Sequence, residues 1–418
     1  MRSRQRDRSW TRQAGLILGV VCLLALFAYV WLFSIGEITH GFMAYYAAAH
    51  ALGGDGIGPW VYDDELFRAY VQGLTRSPIL EIYGPNPPTM TLLALPVVWL
   101  DHITARSVWL LLSVLSLAGG VTILARDALR REAAGVLAMI AVALLSPSVF
   151  ANLRTGQAYL FVFGWFALAG HLLMRERDRR AGVALGLALA LKSSGAPWLV
   201  LLAVRRPGTV ITAIAVIGAL IVGSLPWIDP ATWVAYPSYL REFISRPTTG
   251  STAYQTTEGF VRHLCVADAR WNPAPAADCA WLAWWLPSGM TFGALVITFA
   301  LTRRARLAHV IAAAVCLSLL VVPIAEDHHF VLLSVALFLL LPVQLRLARD
   351  WPLIGGAALL MVPAAWTISR FTDGWWALLA YPRLYAAWLV WVRCLFAGHV
   401  DKQSGYYADR DQSNHASH

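Results

Sequence analysis

The sequence predicts an all-α polytopic membrane protein, and three observations carry that reading. First, 58% of the 418 residues are hydrophobic and only 14% are charged. That is about half the charged share of a soluble domain, too little to cover a soluble surface. Second, apolar runs of about 17 to 23 residues recur along the chain, the length of a bilayer core. Third, the arginines fall in short clusters between those runs, the positive-inside pattern. The net charge of +9 therefore reports orientation and contact with anionic membrane lipids. No nucleic-acid module is present, so no nucleic-acid partner is expected.

The elements follow in order. Residues 1–13 carry Arg2, Arg4, Arg6, Arg8 and Arg12, which places the N-terminus in the cytoplasm. The apolar run 16–33 is longer than a signal-peptide core and precedes no clear cleavage site, so it is read as a retained first span. Residues 35–105 form a first extracytoplasmic segment. Within it, 88–100 is apolar, carries Pro96 and is too short to span, hence a re-entrant or surface helix. Spans follow at about 107–125, 134–150 and 158–173. Arg126, Arg130 and Arg131, then Arg175, Arg177, Arg179 and Arg180, mark the inside connections.

The run 181–204 has basic clusters at both ends, the second being Arg205 and Arg206. A single span would put one cluster on the wrong side. Two short helices broken at Lys192–Pro197 put both inside. Irregular backbone at membrane depth is tolerated only where it lines protein or a water-filled cavity, so the break predicts a polar cavity. A span at 209–226 leads to a second extracytoplasmic segment, 227–282, and further spans are expected at 284–302, 307–323, 330–345, 352–368 and 383–397. The total is about twelve transmembrane helices within a domain of residues 14–397. A polar, disordered cytoplasmic tail, 398–418, follows, with both termini inside a plasma or inner membrane.

Cys22, Cys316 and Cys394 fall in apolar spans and read as packing residues. Cys265 and Cys279 share the second outside segment. An oxidising compartment would let them pair and pin a loop; otherwise they are two unpaired thiols.

Lys192 is the sharpest chemical feature. The other lysine is Lys402, in the tail. A lysine inside an apolar segment costs a few kcal/mol and marks a functional pathway unless it snorkels; as a compact charge it suits a phosphate. Glu326-Asp327-His328-His329 stands at the outer end of a span. Phosphate or sugar contacts fit it better than a metal, because adjacent ligands point apart; a solvated loop is the bland alternative. The first outside segment offers Glu37, His40, Asp55, Asp63, Asp64 and Glu65 beside Tyr45, Tyr46, Trp60, Tyr62, Tyr70 and Tyr83. Carboxylates beside aromatic faces suit sugars, and an interfacial aromatic belt has the same composition. Arg154 with Gln157, and Arg262 in the large loop, suit phosphate. No P-loop, paired CxxC or nucleophile elbow occurs, and no metal or cofactor is expected.

Five blocks in order resemble glycosyltransferase family 87 (DUF2029), within the GT-C class of polyprenyl-phosphate-sugar-dependent enzymes. They are Gly41–Ala49 with Tyr45, Tyr83–Pro88, Asn152–Gln157, the Leu-Ala-Leu-Ala-Leu run into Lys192 with Pro197, and Pro323–His329. The resemblance implies a GT-C-like bundle with two extracytoplasmic segments. It also implies inverting transfer of a hexose, mannose by family habit, from a polyprenyl phosphate donor to a lipid or glycan acceptor. The family acts with one carboxylate as base. Lys192, His328 and His329 would sit near the donor phosphate, with Arg154, Gln157, Tyr45, Tyr83 and Arg262 as further substrate contacts. The family usually has an Asp before the Phe of the first block, and Gly41 stands there. Glycine takes no proton, so Glu37 or His40, or a more distant acid such as Asp55, would substitute, or the chain has lost transfer and only binds lipid-linked sugar. A lipid or sugar transporter is the remaining alternative. Broken helices suit it, whereas long outside segments and the lack of internal repeats do not.

Overall fold

The computed structural model describes residues 2–33, 40–54, 56–128, 133–246, 251–342, 344–363 and 373–396. Glu37, Asp55 and the tail 398–418 lie outside them. The described residues contain helices and no strand beyond two isolated bridges.

In chain order the helices are α1 (Arg2–Phe33), α2 (Phe42–Leu52), α3 (Asp64–Thr75), the mixed α/3-10 segment α4 (Pro88–Val97), α5 (His102–Ala128), α6 (Ala133–Leu145), α7 (Pro147–Thr155), α8 (Tyr159–Met174), α9 (Asp178–Leu191), α10 (Pro197–Leu202), α11 (Pro207–Ser224), α12 (Pro230–Ser245), α13 (Thr257–Cys265), α14 (Ala280–Thr302), α15 (Leu307–Leu320), α16 (Leu333–Leu340), α17 (Leu347–Leu360) and α18 (382–396).

Five stretches are long and apolar enough to cross a bilayer: Gln13–Leu32, His102–Ala128, Ala134–Thr155, Pro207–Ser224 and Ala280–Thr302. The expected twelve crossings are not reproduced helix by helix. Breaks shorten the other apolar runs, as in α8, whose 16 residues span about 24 Å at about 1.5 Å per residue. Within the segment 88–100 a short helix forms as expected, ending at Val97 just before the highly exposed Trp99.

The predicted break is present. α9 ends at Leu191, Lys192 is extended (φ −147°, ψ 115°), a 3-10 turn covers Ser193–Gly195, and Pro197 starts α10. Proline pre-sets the helical φ and lacks the donor that a first-turn residue leaves unused. Arg206, after α10, lies 3.4 Å from Asp178 and 3.7 Å from Glu176, at the start of α9. The two halves thus form a hairpin with both basic clusters at one end. α11 packs closely on α9 because Gly182 and Gly186 leave room: a Cβ at either would stand 2.5 or 2.8 Å from the Thr209 or Ala213 carbonyl. Such small-xxx-small contacts drive helix association in lipid.

The other connections predicted to lie inside gather at this same end. His171 and Arg175, at the end of α8, pair with Asp127 of α5 at 2.7 and 3.8 Å. Arg205 donates to the Ala305 carbonyl between α14 and α15, and Leu341 and Leu345 approach Gly135 at the start of α6. Cys265 and Cys279 form a disulfide that joins α13 to the start of α14, and Cys22, Cys316 and Cys394 are buried thiols.

Candidate active site

Opposite the arginine end, the five blocks meet. Gly41 caps α2 with φ 92° and ψ −72°, a backbone that side chains oppose. A Cβ there would stand 2.7 Å from both Gln157 Nε2 and the Thr155 carbonyl. The Gly41 amide donates to Glu81 Oε2 at 2.7 Å, and the Ile82 amide to Glu81 Oε1 at 3.2 Å. One turn into α2, the Tyr45 hydroxyl donates to Gln157 Oε1 at 2.5 Å. Gln157 follows Gly156, whose left-handed φ of 64° ends α7 and whose missing side chain admits Phe42 of α2. The first and third blocks are therefore locked together.

Lys192 joins them to the second block. Its ammonium donates to Asn86 Oδ1 and lies 5.4 Å from the Tyr45 ring centre and 5.3 Å from that of Tyr159. Asn86 is held by its own amide, which donates to the Tyr83 carbonyl. The Tyr83 hydroxyl donates to Pro87 O at 2.8 Å, fixing the turn. Tyr83 is fully buried against Tyr62 and Phe67, so it shapes the loop that presents Asn86.

The fifth block closes the site. Asn152 donates to the His328 carbonyl at 2.7 Å. Tyr159 lies 4.1 Å from the His329 ring and 5.3 Å from that of His328. The Glu326 amide donates to His329 Nδ1 at 3.1 Å, leaving the ring proton on Nε2. Glu326 reaches within 3.6 Å of His328 Nδ1 and is 46% exposed. Asp327 turns away: it pairs at 2.5 Å with the fully buried Arg383, which also donates to the Leu359 and Val362 carbonyls. One acid of the run faces the site and the next pins the helices behind it.

Several candidates stand elsewhere. Arg154 is exposed on α7, and its carbonyl accepts from the buried Arg106. Arg262 pairs with Glu258 at 3.2 Å and stacks over Trp284, beside α14. Asp63 caps α3, and Asp64 binds Arg246 at 2.7 Å; both serve the fold. Among the described residues no group of three or more His, Cys, Asp or Glu is placed to hold a metal ion.

Glu81, Asn86 and Tyr159 escaped the sequence reading, although Asn86 lies inside the second block and Tyr159 follows Gln157 by two positions. Glu81 is 4% exposed. Burial, with a smaller contribution from Glu326, pushes its carboxyl up to about 8 against the pull of its two backbone donors. His40 approaches Glu81 at 3.9 Å, with its own side chain 61% exposed. A separate cavity of about 940 Å³ lies at the far end of α2, lined by His50, Trp60, Tyr70, Trp99 and Trp227. It belongs to the aromatic rim and shares none of these residues.

The cluster thus combines a buried cation, two carboxylates, two histidines and tyrosine faces, a set suited to holding a sugar and its phosphate. No curated protein and no solved structure matches the chain. The model of glycosyltransferase family 87 matches residues 85–323, more than half of the sequence, containing the third and fourth blocks and most of the second, and the chain belongs to that family.

Proposed function

We propose that the protein transfers a hexose, mannose in keeping with the resemblance, from a polyprenyl phosphate to a hydroxyl of a lipid or glycan acceptor, with inversion. The reading takes the arginine end as cytoplasmic, both termini on that side, the site as extracytoplasmic, and the whole as a GT-C-like bundle in the plasma or inner membrane.

One observation carries it. Lys192 is 8% exposed, and no carboxylate among the described residues lies within ion-pairing distance of it. An ammonium buried with no ion-paired anion, and only Glu326 acting on it from farther away, is costly, and a ligand phosphate would offset that cost. Asn86 aims the ammonium, and Tyr45 and Tyr159 flank it with ring faces. When the sugar leaves, the phosphodiester becomes a monoester and gains one negative charge. A cation already in place stabilises that charge without reorganising. His328, His329 and Glu326 stand across Tyr159 and suit the sugar hydroxyls, and Gln157 with Tyr45 lies towards the acceptor.

The test is transfer from radiolabelled polyprenyl-phosphate-mannose to a lipid extract by purified protein in lipid, compared with Lys192→Ala. The rate of the variant is expected to fall on the order of 10²–10³-fold. An unchanged rate removes Lys192 from the site. Absence of transfer by the wild type from any polyprenyl-phosphate sugar would favour a non-catalytic binder or a transporter.

A further inference from the structure

We propose that Glu81 is the general base of this site: its carboxylate takes the proton of the acceptor hydroxyl, and His40 carries that proton to solvent. The assignment rests on the transfer reading above.

The geometry sets a cation and a carboxylate at two ends of one chain of contacts. Lys192 lies over Tyr45, Tyr45 bonds Gln157, Gln157 abuts Gly41, and the Gly41 amide bonds Glu81. Glu81 and Glu326 are the acids that act on the Tyr45 hydroxyl. Glu326 also faces Lys192 and is placed to temper that charge. Glu81 stands at the other end of that chain of contacts, the arrangement a base needs when the nucleophile enters opposite the departing phosphate. A base beside Lys192 would be weakened by its charge. Glu81 is held from two backbone amides, so its carboxylate is oriented before substrate arrives, and the exposed His40 gives the proton an exit.

The step balances. The acceptor O–H bond breaks and its proton goes to a Glu81 oxygen. The freed electron pair forms the bond to the sugar's anomeric carbon. The bond from that carbon to the phosphate oxygen breaks, and its pair stays on the phosphate beside Lys192. His40 then relays the proton to water.

Glu81 must be ionised to act. Burial holds its carboxyl near 8, so the rate should climb as pH rises through about 8 rather than through the usual carboxylate range. The groups that face it are His40, Tyr45 and Glu326.

The experiment uses wild type, Glu81→Gln and Glu81→Asp in nanodiscs. It measures binding of polyprenyl-phosphate-mannose by tryptophan fluorescence, and transfer from about pH 6 to about pH 9.5. Glutamine keeps an oxygen for the Gly41 amide and removes the base. Glu81→Gln is expected to bind donor like the wild type, lose transfer on the order of 10²–10⁴-fold, and lose the alkaline climb. Glu81→Asp should keep partial transfer with a displaced midpoint. Transfer by Glu81→Gln within about threefold of wild type, with the same pH profile, reduces Glu81 to an anchor for α2 and overturns the assignment. If Glu81→Gln does not fold, an unshifted midpoint in Glu81→Asp overturns it equally. A wild type that binds no donor ends the transfer reading and this assignment with it. The wild-type lane separates that failure from one confined to the variants.

Discussion

At the arginine-bearing end of the bundle, Asp350 is completely buried, yet Arg349 lies 3.0 Å from it and Arg393 2.8 Å. Asp127 and Asp178 are likewise matched by His171, Arg175 and Arg206. At the opposite end, Lys192 is nearly as buried, and its closest polar partner is the uncharged amide of Asn86. Both ends meet the same cost of desolvating charge. One settles it within the chain, with pairs that tie helices together. The other leaves Lys192 with the Asn86 amide and, at longer range, Glu326, and in the proposed function the charge of a ligand phosphate completes its neutralisation.

Opposite outcomes from two substitutions would sharpen this comparison most. Lys192→Met should lower transfer on the order of 10²–10³-fold while the thermal midpoint in detergent holds or rises, because an unneutralised charge is removed. Asp350→Asn should do the reverse. Leaving Arg393 buried without its anion costs about 3–5 kcal/mol, so the midpoint drops, while turnover per folded molecule stays within about twofold. A destabilised Lys192→Met with normal transfer would break the comparison.

The hairpin was legible because charge placement is read against a bilayer. Basic residues at both ends of 181–204 forced the hairpin, and Arg206 beside Asp178 bears it out. Lys192 was legible as a lysine in an apolar run among arginines. Glu81 was not: it sits between Leu80 and Ile82, forty positions from the glycine it binds, and only tertiary folding joins them. Arg262 carries phosphate-suited chemistry, and Glu258 one helical turn earlier gives it an i,i+4 partner within the chain. Lengths of individual crossings are less legible, because apolar runs do not reveal where a helix breaks inside them.

Gly41→Ala is expected to act more mildly, through shape. The φ of 92° and the 2.7 Å approaches to Gln157 and Thr155 should cost about 1–3 kcal/mol and push Gln157 off Tyr45. Transfer should fall about tenfold to a hundredfold, the scale of a small misplacement of a positioning group. Adding Gln157→Ala relieves one of the two clashes, so the second change should cost less in Gly41→Ala than in wild type. Strict additivity would mean that Gln157 does not feel position 41.

The smallest effect on transfer belongs to the disulfide. Cys265 and Cys279 close a loop of sequence separation 14, worth about 3 kcal/mol of stability in the loop-entropy view. The start of α13 is what braces the site: the Gln255 amide donates to the Ala325 carbonyl at 2.8 Å and the Thr256 hydroxyl to that of Pro323, just before Glu326, while the Gln255 side chain donates to the Ala380 carbonyl. Cys265 stands at the other end of the helix. Cys265→Ser should therefore lower the thermal midpoint yet leave transfer within about twofold, whereas Gln255→Ala, which keeps the backbone bond to Ala325 but removes the side-chain bonds to the Ala380 carbonyl and the Arg383 amide beside Asp327, should lower transfer more at a similar cost in stability. Equal losses of transfer in the two variants would mean that α13 moves as one rigid lever on the site, and the paired-charge end would then no longer be the only structural half of the molecule.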